Sequence, residues 1–349
     1  MRAWWIIFLI ALTLSGCGAE EHSEDSVGHS DVIMQPIADR IARGEGGNLH
    51  CFMVWQRGVT RLEVYGDAPG MAGMLKTDQL SGSPERRFNM HAISRSVIAM
   101  LVFIAIDEGE FKSLDSPLHQ YLSTTPSKPR DWRKITLRHA LDMRTGLPLD
   151  ESATTKVRFD HAWNQLNRAE STLEFIFSQT FVDKPGETLR VSGTSTVLLA
   201  KALESVYGKP VEKLAEEKLF TPLGITSAQW LRYQGSREIG VDFGLQLISA
   251  DMVKLGQLVL QRGEWEGKPI FAEAWGDALL KIGTGNEQFG LQFWRLSAFS
   301  QAIVAKGEGE QYIVISPQKE AVIVSTAGNY LQEGEPILGL LNDVLPMLP

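Results

Sequence analysis

Apolar residues fall at helical spacing in Ile33, Ile37 and Ile41, which predicts a helix over 32–43 that stops at Gly44. Two β-rich runs, 49–55 and 60–65, flank Arg57-Gly58 and read as a hairpin. A polar, glycine-rich stretch (66–86) follows. Residues 92–108 are then apolar on nearly every face and closed by Gly109, the pattern of a buried helix. Helical periodicity returns in 135–143, 171–177, 195–207 and 250–262, with Pro185-Gly186 and Pro222-Leu223-Gly224 as breaks. The chain ends in β pattern at 302–305, 311–316 and 321–326, with a turn at Pro317-Gln318-Lys319-Glu320. A last helix is predicted over 337–347. Strands at both ends around a helical middle predict one sheet built from both chain ends, with sheet regions at about 32–112 and 246–349. The helical region is inserted at about 113–245. No internal repeat is visible.

The first residues carry a different pattern. Arg2 precedes a short apolar run, 3–12, too short to span ~30 Å of hydrocarbon. The run ends in Leu14-Ser15-Gly16-Cys17, which resembles a bacterial lipobox. Residues 1–16 are therefore expected to be a lipoprotein signal peptide, with Cys17 as the lipidation site and a membrane anchor. Gly18 rather than Asp after the cysteine resembles outer-membrane sorting in Gram-negative bacteria, so the expected location is the periplasmic side of the cell envelope. Residues 17–31 are mostly acidic and small, show no apolar periodicity and read as a flexible tether to a domain at 32–349.

Composition narrows the classes. With 349 residues, 44% of them apolar and 22% charged, the chain suits a sizeable globular core. Lys+Arg 34 against Asp+Glu 42 gives a net charge of −8, so no basic field attracts nucleic acid. Two cysteines, Cys17 and Cys51, are too few for a disulfide framework or a zinc site, and no metal or cofactor is expected. Cys51 lies in an apolar run and reads as a buried, inert thiol. Neither G-x-S-x-G nor H-E-x-x-H occurs.

Several stretches resemble one family, the β-lactamase-related serine hydrolases, which include class C β-lactamases, DD-peptidases and esterases. They are Phe88-Asn89-Met90, Ile104-Ala105-Ile106-Asp107-Glu108-Gly109, Ser113-Leu114-Asp115, Ile135-Thr136-Leu137-Arg138-His139-Ala140-Leu141 and Thr145-Gly146-Leu147. Pro185-Gly186-Glu187, Leu219-Phe220-Thr221-Pro222-Leu223-Gly224 and Gly307-Glu308-Gly309-Glu310-Gln311-Tyr312 continue the series in the family's order. The resemblance implies an α+β fold: an antiparallel β-sheet flanked by helices, an inserted helical subdomain, and an active site between them.

The same resemblance implies a nucleophile and base at S-x-x-K, one helical turn apart on one face. Counting back from Ile104, the four positions are Ala92-Ile93-Ser94-Arg95. Alanine has no nucleophile, and a guanidinium, with pKa above ~12, cannot take a proton at neutral pH. The tyrosine of the second motif falls on Val191, in Arg190-Val191-Ser192-Gly193-Thr194-Ser195. The third motif survives partly as Lys306-Gly307-Glu308-Gly309. Loss of the serine alone costs a serine hydrolase on the order of 10⁶ in kcat.

The leading expectation is thus a catalytically inactive, lipid-anchored pseudoenzyme that keeps a cationic ligand-binding cleft. Arg95, Ser192, Lys306, Gly307 and Gly309 are the candidate ligand contacts, aided by backbone N–H groups at the helix start beside Ala92. The expected partner is a carboxylate-bearing cell-wall peptide or small ligand. In the competing arrangement Arg95 pairs with Glu308 or Glu310 and the cleft is closed. Two further functional classes stay open: an active hydrolase using Ser94, Ser96 or Ser192, and a structural lipoprotein without ligand. The literal S-x-x-K from Ser316 to Lys319 falls in the hairpin turn and reads as a solvated loop. His91 and His139 read as packing or loop residues.

Overall fold

The computed structural model describes residues 27–69, 79–124, 129–151, 162–282, 288–295, 302–330 and 334–349. The expected signal sequence, Cys17 and most of the expected tether lie outside the described residues. Among the described residues no helix is long and apolar enough to cross a membrane.

Eight strands form one antiparallel sheet, in the order Val27–Ser30, Val59–Tyr65, Leu49–Gln56, Ala321–Ala327, Gln311–Ser316, Ile303–Gly307, Phe293–Arg295 and Phe289–Gly290. Its middle joins the two chain ends, with Phe52 opposite Ser325 and Val54 opposite Ile323. Alternation along each strand sends residues to two faces. Cys51 and Met53 enter a core with the helices Ile93–Asp107 and Ser249–Leu260. Phe52 and Val54 enter a second core with the first and last helices, Gln35–Ala42 and Pro336–Met347. The result is the α+β arrangement that the resemblance implies, with one sheet built from both chain ends as the pattern predicts.

Three differences matter. Residues 27–30, read as the end of the tether, form an edge strand against Leu62, Glu63 and Val64, so the folded domain begins before residue 32. The helix expected over 135–143 is only Leu137–Leu141, because Met143 adopts a left-handed φ of 54°. The hairpin Phe289–Gly290/Phe293–Arg295 was not anticipated. Its two turn residues, Leu291 and Gln292, have φ of 50° and 64°, a conformation that usually announces itself through Asn-Gly or Asp-Gly.

The helix Ile93–Asp107 runs through the molecule. Every residue from Ile93 to Ala105 is buried, as expected for a helix apolar on all faces. The strand pair Phe88–Asn89/Leu245–Leu247 leads into it, and His91 turns the chain with φ of 48°. Gly307 closes the approach from the sheet: a Cβ there would lie 2.4 Å from the Met90 carbonyl oxygen. Only a glycine lets the strand come this near to the start of the helix.

Candidate functional site

Where the helix start, the sheet edge and the helical region meet, a cavity of about 370 Å³ opens. Ala92 and Arg95 on one helix, Val191 and Gly307 all line it, so three segments distant in sequence meet there. Met143, Phe289, Trp294 and Gln292 add walls, and Glu151 and Glu308 add carboxylates. Phe289 and Trp294 meet edge to face, with ring centroids 4.6 Å apart.

Arg95 dominates the polar chemistry. It is only 4% exposed. Its Nη2 donates to Glu151 Oε2 at 2.6 Å and lies 3.8 Å from Asp242 Oδ2, while Nε donates to the Asp242 carbonyl at 3.1 Å. Glu151 is fixed in turn: its Oε1 accepts from the Gly193 N–H at 2.7 Å, and its own N–H donates to the Val191 carbonyl at 2.7 Å. Asp242 is fully buried, accepts a short hydrogen bond from the Tyr233 hydroxyl, and packs directly on Gly193. A Cβ on Gly193 would sit 2.0 Å from Asp242 Oδ2, so this tight ionic cluster needs glycine there.

These neighbours set the protonation states. Burial works against charge on Arg95, but Glu151, Asp242 and Glu308 outweigh it and hold the guanidinium above its ordinary pKa. Burial pushes Asp242 up to about 6, with Arg95 opposing and Glu151 adding to the rise. A cation at position 95 is therefore kept charged, the opposite of what a general base requires.

The remaining candidates are placed less simply. Lys306 borders the cavity, but its ammonium lies 3.3 Å from Glu335 and 5.9 Å from the Tyr312 ring centroid. Strand alternation explains this: Ala305 belongs to the core on the helix side, whereas Tyr312, opposite Lys306, belongs to the core beneath the terminal helices. Lys306 is thus not a second cation beside Arg95. With Arg95 matched by Glu151 and Asp242, and Glu308 at the wall, the described residues do not make the cleft cationic. Three N–H groups of the expected anion-binding helix start are also occupied, and only that of Ala92 has no partner among the described residues. The N–H groups of Ile93, Ser94 and Arg95 donate to the carbonyls of Met90, His91 and Ala92 at 3.0–3.1 Å.

Ser192 caps the helix Gly193–Tyr207, bonding the Thr194 hydroxyl at 2.8 Å and accepting from its N–H at 3.2 Å, and it is absent from the described lining. Gly309, with φ of 78°, packs against the Tyr330 ring rather than the cavity. Glu310 is not a partner of Arg95: its carboxylate accepts from Asn329 Nδ2 at 2.5 Å and from the N–H groups of Ile337 and Leu338 at the start of the last helix. Ser94 donates to the His91 carbonyl at 2.7 Å and accepts from the Leu245 N–H at 3.1 Å. Ser96 donates to the Gln292 carbonyl at 2.8 Å. His91 Nε2 contacts the Tyr330 hydroxyl at 2.9 Å, and His139 Nδ1 accepts from the Thr136 N–H at 3.3 Å in a capping box. In the hairpin turn, Lys319 donates to the Leu348 carbonyl at 2.6 Å. Among the described residues no cluster of three metal-ligating side chains occurs.

Sequence reading missed Glu151, Asp242 and the Phe289–Trp294 wall. Glu151 and Asp242 lie 56 and 147 residues from Arg95, and nothing in their local pattern marks them as its partners.

The Beta-lactamase family model matches residues 51–240, more than half of the chain. The chain belongs to the Beta-lactamase family. Solved structures share the fold at low identity. A penicillin binding protein from Bacillus halodurans is 16% identical with a TM-score of 0.67, over 90% of this chain and 98% of that one. FmtA from Staphylococcus aureus is 14% identical at 0.69, over 93% and 92%. A penicillin-binding protein homologue from Caulobacter crescentus is 13% identical at 0.70, over 92% and 99%. Within this Beta-lactamase fold the cavity occupies the junction of sheet and helices.

Proposed function

We propose that this Beta-lactamase family protein is a non-catalytic, lipid-anchored envelope protein that uses its cleft to bind rather than to cleave. The observation that carries the reading is the clamped Arg95: the S-x-x-K base position holds a guanidinium gripped by Glu151 and close to Asp242, one turn from the methyl group of Ala92. Val191 brings no hydroxyl to the same cavity. The three motif positions thus supply neither a nucleophile nor a group that could take its proton. The hydroxyls of Ser94, Ser96 and Ser192 are held in hydrogen bonds, which speaks against the displaced-serine alternative. An open cavity speaks against a purely structural role. Anchoring rests on the lipobox-like residues 14–17.

The test is intact mass after incubation of the fragment from Gly18 onward with a fluorophosphonate and, separately, a penicillin. No adduct is expected on the folded protein; an adduct would overturn the non-catalytic reading. For the anchor, Cys17→Ser in the full chain is expected to move the protein from the membrane to the soluble fraction. An unchanged distribution would overturn it.

A further inference from the structure

Resting on the binding reading above, we infer that the cleft selects an uncharged carbonyl ligand, an amide or ester with an aromatic or branched apolar group, and rejects the matching carboxylate. This replaces the carboxylate-bearing ligand expected from sequence.

The first argument is the donor. Arg95 lines the cavity, and its Nη1 makes no bond to a described residue. A guanidinium rigidly held through Nε and Nη2 presents its remaining N–H groups in a fixed direction. The Ala92 N–H, on the same wall, also lacks a partner among the described residues. Two donors on one wall suit a carbonyl oxygen.

The second argument is charge. Among the described residues, a ligand placed at Nη1 faces one fixed positive charge, already shared between Glu151 and Asp242, and a further carboxylate at Glu308, which lies 3.7 Å from His91 Nδ1. Lys306 does not redress the balance, because its ammonium lies at Glu335. An incoming carboxylate would add a like charge to three others, whereas a neutral carbonyl accepts the hydrogen bond without that repulsion.

The third argument is shape and upkeep. The volume of about 370 Å³ is that of a small-molecule site, and Phe289, Trp294, Met143 and Val191 give it an apolar side. Around it, His91, Met143, Leu291 and Gln292 all hold left-handed φ values, 48°, 54°, 50° and 64°. Such conformations are strained and persist where the surroundings impose them. Here they position the cavity walls instead of letting them collapse.

Phenylacetamide and phenylacetate, nearly equal in shape and different in charge, are the probes. Calorimetric and ligand-detected NMR titrations should show saturable binding of the amide, with the acid at least ~10-fold weaker. Trp294→Ala should abolish amide binding, and Glu308→Gln should narrow the gap between the two. Equal or tighter binding of the acid, no binding of the amide, or amide binding indifferent to Trp294→Ala would overturn the inference. Each of these leaves the non-catalytic reading intact. Release of phenylacetate from the amide would instead overturn that reading while the charge preference stood.

Discussion

Arg95 shows how one residue can decide the chemistry of an inherited cavity. A lysine base works by being neutral part of the time, so its surroundings must tolerate loss of the charge. Here Glu151 and Asp242 demand a cation. Restoring the family residues, Ala92→Ser with Arg95→Lys, is therefore expected to leave the protein inert. A lysine between two buried carboxylates stays protonated, and Val191 offers no replacement. The check is a fluorophosphonate adduct at position 92, which should be absent by intact mass. The motif positions were legible because the flanking residues fix the count along one helix. The partners of Arg95 were not legible. Ion pairing across the fold depends on where loops return, and no local spacing encodes that. Lys306 failed for a related reason: the residue type was visible, but strand alternation turns its charge to the opposite face of the sheet.

At the scale of elements, periodicity served well wherever one face is apolar. The strands Gln311–Ser316 and Ala321–Ala327 and the helix Pro336–Met347 lie within a residue of their expected bounds. Short elements were lost, since two- and three-residue strands such as Phe289–Gly290 and Phe293–Arg295 carry no measurable pattern. Packing between elements also follows from single positions. The helix Ser249–Leu260 meets the sheet through Gly256, where a Cβ would stand 2.5 Å from Val322 Cγ1 and 3.0 Å from Ile313 Cγ2. Gly256→Ala gains about 1 kcal/mol of helix propensity but forces the helix off the sheet at a cost of about 1–3 kcal/mol. Net destabilisation is expected, read as a lower urea midpoint with unchanged helix content. A raised midpoint would show that the contact yields.

At the scale of the whole molecule, the buried ionic cluster ties stability to pH. Asp242 is raised from the ordinary 3.8 to about 6, mainly by burial. The native state therefore holds the Asp242 proton more tightly than the unfolded chain does. Its contribution is fully present below about pH 4 and is lost as pH rises through about 6. The stability of Asp242→Asn relative to the unmodified protein should accordingly improve between pH 4 and pH 6 and level off above. Chemical denaturation at several pH values measures this, and a parallel pair of curves would contradict it.

The sheet joins residues 49–56 to 321–327 at its centre, and this has a consequence for the chain as it is made. During synthesis the first hairpin emerges with an unpaired edge and must wait for some 270 further residues before its partner strand exists, a separation read from the paired positions. Until then the helical region has no sheet to close against. The stretch that carries the family signature, residues 51–240, contains none of the last three long strands. The matched stretch therefore lacks the strand that pairs with residues 49–56 at the centre of the sheet. The sheet is completed only when residues 321–327 are made, and until that moment the exposed edge is open to chaperones or misassociation.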